Sequence, residues 1–254
     1  MSGRLDIVGL GPGGPATRTS QAAEAVARAE VVVGYGAYVD QCADLLRDGQ
    51  EVVRGRMGEE EARADEALER ARGGARVALV SSGDAGVYGM AARTLARAAE
   101  LDVEVHVVPG MTAAQAAAAL LGAPLADDFA VLSLSDIRTP WETVERRLAA
   151  VAVSGLALCL YNPRSKARTW QLDRVLELLR DARGGSAPVA VVTDAAREGE
   201  AVVRTTLADL DPEAVTMRSL LIVGGETAQD AGPWLVADRD GRKVPGTFHP
   251  EVSA

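Results

Sequence analysis

The chain reads as an α/β protein, and three observations predict it. Apolar runs of strand length alternate with helix-period segments along most of its 254 residues. A glycine-rich turn, Gly9-Leu10-Gly11-Pro12-Gly13-Gly14, follows the first strand directly. Further loops rich in Gly, Ser, Asn and Asp follow later strands, at the strand ends where open α/β sheets gather ligands.

Taken in order, strands are expected near 4–8, 31–34, 51–53, 76–80 and 103–108, as a largely parallel sheet. Helices fall between them near 18–29, 37–46, 58–72, 87–99 and 112–121. The segment 58–72 carries Glu and Arg at i, i+3 and i+4 spacing, which reads as a solvated face. The pattern pauses at Gly122-Ala123-Pro124, predicting two α/β domains, 1–122 and 123–254. In the second, strands are expected near 128–134, 156–161, 188–193, 201–206 and 219–223, with helices near 140–152 and 168–181. Thr139 reads as the N-cap of the first helix, Pro140 as its first residue and Glu142 as the capping-box acid. From about 226 the tail is rich in Gly, Pro and Asp, and Asp240-Gly241 reads as a hairpin turn.

Composition narrows the function. Acidic residues outnumber basic ones 36 to 27, a formal charge of −9, which argues against a general nucleic-acid-binding face. No apolar run reaches the ~18 residues of a membrane span and no leader pattern opens the chain, so a cytoplasmic protein away from membranes is expected. Cys42 and Cys159 sit among apolar neighbours and read as packing residues. The two histidines, His106 and His249, have no partner at ligand spacing, so no catalytic metal is expected.

Gly9, Gly11 and Gly14 match the dinucleotide spacing G-x-G-x-x-G. Pro12 removes an N–H that a pyrophosphate needs, and the second strand ends in Gly34-Tyr35 with no acid for a ribose. The loop is therefore read as a ligand loop for something other than NAD. Ser81-Ser82-Gly83-Asp84 and Pro109-Gly110-Met111-Thr112-Ala113 follow two further strands, Thr112 doubling as a helix cap. In the second half, Tyr161-Asn162-Pro163-Arg164-Ser165-Lys166-Ala167-Arg168 puts three cations in five residues, suited to a polycarboxylate.

In their order and spacing the three N-terminal loops resemble those of the tetrapyrrole methylases, two-domain S-adenosylmethionine-dependent enzymes of corrinoid and sirohaem synthesis. Met57-Gly58-Glu59-Glu60, Ser133-Leu134-Ser135-Asp136, Thr139-Pro140-Trp141-Glu142, Tyr161 to Lys166 and Arg197-Glu198-Gly199-Glu200 extend the likeness to residues 4 to about 225. They point to the branch that methylates C17 of precorrin-3B and contracts the ring in cobalamin synthesis.

The resemblance implies S-adenosylmethionine in a cleft between two α/β domains, held by Gly9, Gly11, Pro12, Ser82, Gly83, Asp84, Val87, Tyr88, Thr112 and Ala113, with Tyr161, Asn162, Asp194 and Ala195 from the second domain. Arg138, Arg164, Lys166 and Arg168 are expected to meet the carboxylates of an anionic precorrin, and a homodimer is implied. A sister methylase, a cobalt-containing substrate and a non-catalytic tetrapyrrole carrier are the alternatives. Three positions depart from the family pattern: Ala85 for the usual Pro, Asp194 for Asn, and Gly225-Glu226 for Asn-Ser.

Overall fold

The computed structural model describes residues 3–240. The chain forms two compact units, Met1–Ala116 and Ala117–Ala254.

Unit 1 contains β1 (Arg4–Gly9), α1 (Ser20–Arg28), β2 (Val31–Tyr35), α2 (Gly36–Gln41), β3 (Glu51–Gly55), α3 (Glu60–Arg72), β4 (Arg76–Ser81), α4 (Ala91–Ala98) and β5 (Glu104–Val108). The strands form one parallel sheet in the order β3-β2-β4-β1-β5. Its central strands β2, β4 and β1 are largely apolar on both sides because helices cover both faces, whereas the edge strands β3 and β5 carry exposed charged residues. Leu5, Ile7, Val33 and Leu79 pack with Ala64, Ala67 and Leu68 of α3 and with Ala91 of α4. Val8, Val32, Ala78 and Val80 pack on the opposite side with Ala22 and Val26 of α1 and Val39 of α2. The charged face of α3 carries surface pairs such as Arg70–Glu66, but Arg63 on the same helix is buried and donates to the Arg56 carbonyl. Thr19 caps α1, its hydroxyl accepting from the Ala22 N–H at 3.1 Å.

The helix α5 (Ala113–Leu121) crosses the division between the units. Unit 2 continues with β6 (Gly122–Ala123), β7 (Phe129–Ser133), α6 (Trp141–Ala152), β8 (Ala157–Tyr161), α7 (Trp170–Arg183), β9 (Pro188–Thr193), β10 (Ala201–Thr206), β11 (Ser219–Val223), β12 (Ala228–Ala231) and β13 (Trp234–Ala237). Its main sheet runs β10-β9-β11-β8-β7.

Here the expectation of a largely parallel sheet needs correction. Only β7 and β8 are parallel, whereas β8-β11, β11-β9 and β9-β10 are antiparallel. The reason is connection length. Residues 194–200 between β9 and β10 are too few for a parallel crossover, which needs a dozen or more, so β10 returns antiparallel. The next strand, β11, is reached over 207–218, runs in the direction of β10 and so pairs antiparallel with β9 and β8. The core against α6 and α7 is built from Leu148, Leu172, Leu176, Leu158, Leu160, Val191 and Leu221.

Two local readings also change. Pro140 has ψ 141°, outside the helix, so it is the cap residue of α6 and Trp141 the first helical one; Thr139 is not the N-cap. Pro140 can hold this place because its carbonyl accepts from the N–H groups of Thr143 and Val144. The tail forms a hairpin between β12 and β13, turning through Gly232 (φ +63°) and Pro233, with β6 completing a three-stranded sheet. The expected turn at Asp240-Gly241 lies partly outside the described residues, as does His249.

Candidate cofactor and substrate site

Three loops of unit 1 leave the carboxyl ends of the adjacent strands β4, β1 and β5. At ~4.8 Å between neighbouring strands, all three lie within about 10 Å. They are tied to one another. Gly11 and Gly83 exchange two backbone hydrogen bonds, of 3.0 and 2.7 Å, and the Leu10 N–H donates to the Ser81 carbonyl.

Asp84 makes the next link. Its Oδ1 accepts from the N–H groups of Gly86 (2.8 Å) and Val87 (3.2 Å), and its Oδ2 from Gly110 (3.0 Å). The carboxylate therefore staples the β4 loop to the β5 loop. The glycines are needed for closeness: a Cβ on Gly9 would lie 2.8 Å from Gly110 N and Gly83 O. Ser82 directs its hydroxyl toward the Gly11 carbonyl at 3.4 Å. Pro12 is buried beside Gly11, which has φ +80°. Thr112 accepts through its backbone carbonyl from Gln115 and Ala116 at the start of α5. Gln115 reaches back to the Thr112 N–H, and Ala113 opens the helix.

Among the described residues four non-glycines have left-handed φ: Tyr88 (+55°), Asn162 (+51°), Asp194 (+50°) and Ala196 (+61°). Such strain collects at functional sites, and Tyr88, Asn162 and Asp194 are residues the sequence singled out. Met57, Val87, Tyr88 and Met111 are exposed apolar side chains on the loops after β3, β4 and β5. Met57 and Met111 were not named as site residues; their only sequence signal is an apolar residue in a glycine loop.

In unit 2, Tyr161 ends β8 opposite Ser133 of β7, and Asn162 Nδ2 donates to Ser133 Oγ at 2.9 Å. Asp194 follows β9 and is buried, with its carboxylate on the Arg218 guanidinium; Nε approaches Oδ1 at 2.7 Å and Oδ2 at 2.8 Å. The negative charge that replaces the family's usual Asn is thus neutralised locally. Ala195 is partly exposed in the same turn, which Arg197 closes onto the Asp194 carbonyl. Gly225 is packed in turn: a Cβ there would meet Ala157 N at 2.7 Å. Among the described residues no His, Cys, Asp or Glu cluster could hold a metal, and His106 pairs with Glu104.

The four expected substrate cations separate into two kinds. Arg138 and Lys166 are exposed. Arg164 is turned inward, donating to the Pro212 carbonyl at 2.9 Å and pairing with Glu213. Arg168 is only 4 % exposed; it donates to the Asn162 carbonyl at 2.9 Å and faces Asp136 at 3.8 Å. Burial lowers its pKa below the ordinary guanidinium value. Its burial and its carbonyl partner make it a support for Asn162, the residue beside which the sequence expected it to meet substrate.

Burial also raises the thiol pKa of Cys42 to about 11 and of Cys159 to about 12, as packing residues require. Ser133 and Arg218 were not named as site residues, because Ser133, though inside a quoted motif, acts through Asn162, and Arg218 acts through Asp194 and belongs to no motif.

The tetrapyrrole (corrin/porphyrin) methylase family matches residues 4–211 of the chain. The chain belongs to that family. It is 46% identical over 225 residues to a probable cobalt-factor III C(17)-methyltransferase of Salmonella typhimurium, covering 88% of this chain and 93% of the relative. It is 40% identical over 247 residues to the precorrin-3B C(17)-methyltransferase of a Sinorhizobium species, covering 95% and 94%. Among solved structures, the methyltransferase CobJ superposes with a TM-score of 0.88 at 38% identity, covering 93% of this chain and all of that one. A uroporphyrin-III C-methyltransferase of Thermus thermophilus, solved with S-adenosylhomocysteine, has a TM-score of 0.70 at 25% identity, covering 87% and 97%.

Proposed function

We propose that this methylase transfers the methyl group of S-adenosylmethionine to C17 of a precorrin-3B-type macrocycle, with ring contraction, in cobalamin synthesis. The observation that carries the reading is the stapled cluster of three glycine loops on one sheet rim, in a chain whose relatives bear that activity in their names. The cluster suits an adenosyl ligand. Its glycines leave backbone exposed where side chains would intrude, and Pro12 costs nothing because this cofactor has no pyrophosphate.

When bound, the sulfonium supplies an already activated methyl group, so the protein needs no nucleophile of its own. What the chain contributes is position. Gly9, Gly11, Gly83 and Asp84 form a rigid floor, with Pro12, Ser82, Val87, Tyr88, Thr112 and Ala113 around it. Tyr161, Asn162, Asp194 and Ala195 supply the cofactor contacts of unit 2. Holding reactants in line is worth on the order of 7–11 kcal/mol. Arg138 and Lys166 meet substrate carboxylates, while Met57, Tyr88 and Met111 offer apolar surface to a flat ring.

A cobalt-containing macrocycle is the second reading, favoured by the name of the Salmonella relative. We further propose a homodimer located in the cytoplasm; among the described residues no helix is long and apolar enough to cross a membrane.

Calorimetric titration with S-adenosylhomocysteine, with NAD as control, tests the cofactor. One-site micromolar binding of the first alone is expected. Binding of macrocycle without S-adenosylhomocysteine would instead identify a carrier. Product analysis with precorrin-3B and its cobalt counterpart then separates the two substrates.

A further inference from the structure

The glycine loop after β1 has little internal means of holding its shape. Pro12 has no N–H to donate, and the glycines around it gain the most freedom when released. The two backbone bonds to Gly83 fix it at Gly11, and at its far end Thr17 donates its N–H and hydroxyl to the Gly14 carbonyl. The stretch between is also held from α2.

Gln41, the last residue of α2, places Nε2 2.7 Å from the Gly11 carbonyl and 2.8 Å from the Gly13 carbonyl. One amide group therefore spends both of its protons on the two carbonyls that bracket Pro12. Gln41 is itself held. Its backbone carbonyl accepts from Arg18 Nη2 at 2.7 Å, and Arg18, with a side chain 3 % exposed, grips Asp44 at 2.8 and 3.0 Å. A chain of contacts thus runs from Asp44 through Arg18 and Gln41 to the loop.

We infer that Gln41 is a positioning residue that latches the Gly11–Gly13 loop in its cofactor-ready shape before the cofactor arrives. The inference rests on the reading of this loop as part of the S-adenosylmethionine site. The bridge uses both protons of one amide, so it needs a side chain with at least two donors. Glutamate has no second donor and, when ionised, sets a carboxylate against two carbonyl oxygens; methionine matches the shape and donates nothing.

Loss of the latch leaves the loop competent only part of the time, which lowers apparent affinity by that fraction. The penalty therefore falls on the association rate. Removing two net hydrogen bonds is expected to weaken binding on the order of tenfold.

The test compares the wild type, Gln41→Met and Gln41→Glu for S-adenosylhomocysteine binding by calorimetry and stopped-flow, well below each protein's melting temperature. Amide exchange across Gly11–Gly14 is followed without ligand. The latch predicts about tenfold weaker binding for Gln41→Met and more for Gln41→Glu. Most of the loss should lie in the on-rate, with faster exchange confined to the loop. Affinity within twofold of wild type in both variants overturns it. So does a loss carried by the off-rate, which would make Gln41 a direct ligand contact. If the wild type itself binds no S-adenosylhomocysteine, the cofactor reading fails, and the exchange data still decide the latch: unchanged exchange in Gln41→Met refutes it.

Discussion

Arg183 closes α7 and places its guanidinium on three carbonyls at once. Nε donates to Ala152 at 3.0 Å, Nη2 to Val151 at 2.8 Å and Nη1 to Gly224 at 3.0 Å. Two of these are last-turn carbonyls of α6, Val151 also accepting from the Ser154 N–H and hydroxyl, and a cation there meets the negative end of the helix dipole. Replacing Arg183 with Met keeps the apolar stem and deletes all three bonds. Bonds to a charged donor contribute about 1.5–3 kcal/mol each, giving a gross loss of roughly 4.5–9 kcal/mol. Against this stands the desolvation of the guanidinium, the burial that lowers its pKa and amounts to several kcal/mol. A net destabilisation of about 3 kcal/mol is expected.

The assay is built into the sequence. All three tryptophans, Trp141, Trp170 and Trp234, lie in unit 2. Urea unfolding followed by tryptophan fluorescence therefore reports that unit alone. With a slope of ~2 kcal/mol/M the midpoint should fall by about 1.5 M at unchanged slope. Arg183→Lys, which keeps the charge but not the fork, should fall between the two. A midpoint shift below about 0.5 M for Arg183→Met would refute the claim that this residue holds α6 to the end of β11.

Three other perturbations test other parts of the structure. Gly9→Ala forces a methyl against the Gly83 carbonyl and Gly110 N–H, and overpacking of about 1–3 kcal/mol should weaken S-adenosylhomocysteine binding ten- to a hundredfold by calorimetry. Arg168→Met removes both a bond to the Asn162 carbonyl and the burden of a buried guanidinium. The urea midpoint should therefore stay within about 0.5 M, while affinity for S-adenosylhomocysteine drops several-fold; an unchanged affinity would detach Arg168 from the site.

Asp44 is held below its ordinary pKa, chiefly by the hydrogen bond from Arg18. A depressed carboxyl pKa stabilises the fold above the unfolded value of about 4 and loses that effect as pH falls through the folded value. The melting-temperature gap between wild type and Asp44→Asn should be constant from pH 7 to about 5 and shrink at lower pH. A gap that persists to pH 2.5 would show that the pair plays no part.

Much of the architecture was legible in the chain because it is written in local patterns. Every strand of the unit 1 sheet falls within two residues of its expected place: the central strands β2, β4 and β1 are short apolar runs buried on both faces, and the edge strands β3 and β5 still carry valine pairs. The three loops were legible for a related reason: glycines at strand ends are where backbone must come close to something else. The short strands β6, β12 and β13 were not, because two to four residues are too few to carry a period. The reversal of direction in unit 2 was legible only in what is missing, a helix between β9 and β10.

Residue type and order by themselves determined the family, the α/β class and the glycine loops at the strand ends, because ordered motifs and hydrophobic period survive in one dimension. Only the tertiary structure decided what each side chain in those loops does. Asp84, expected at the cofactor, staples two loops; Arg168, expected near the substrate, donates to the Asn162 carbonyl; Asp194 is paired with Arg218. The partners are 26, 6 and 24 residues away in sequence. No local pattern encodes which carbonyl or guanidinium a charge will meet, because that is set by how strands are ordered in a sheet.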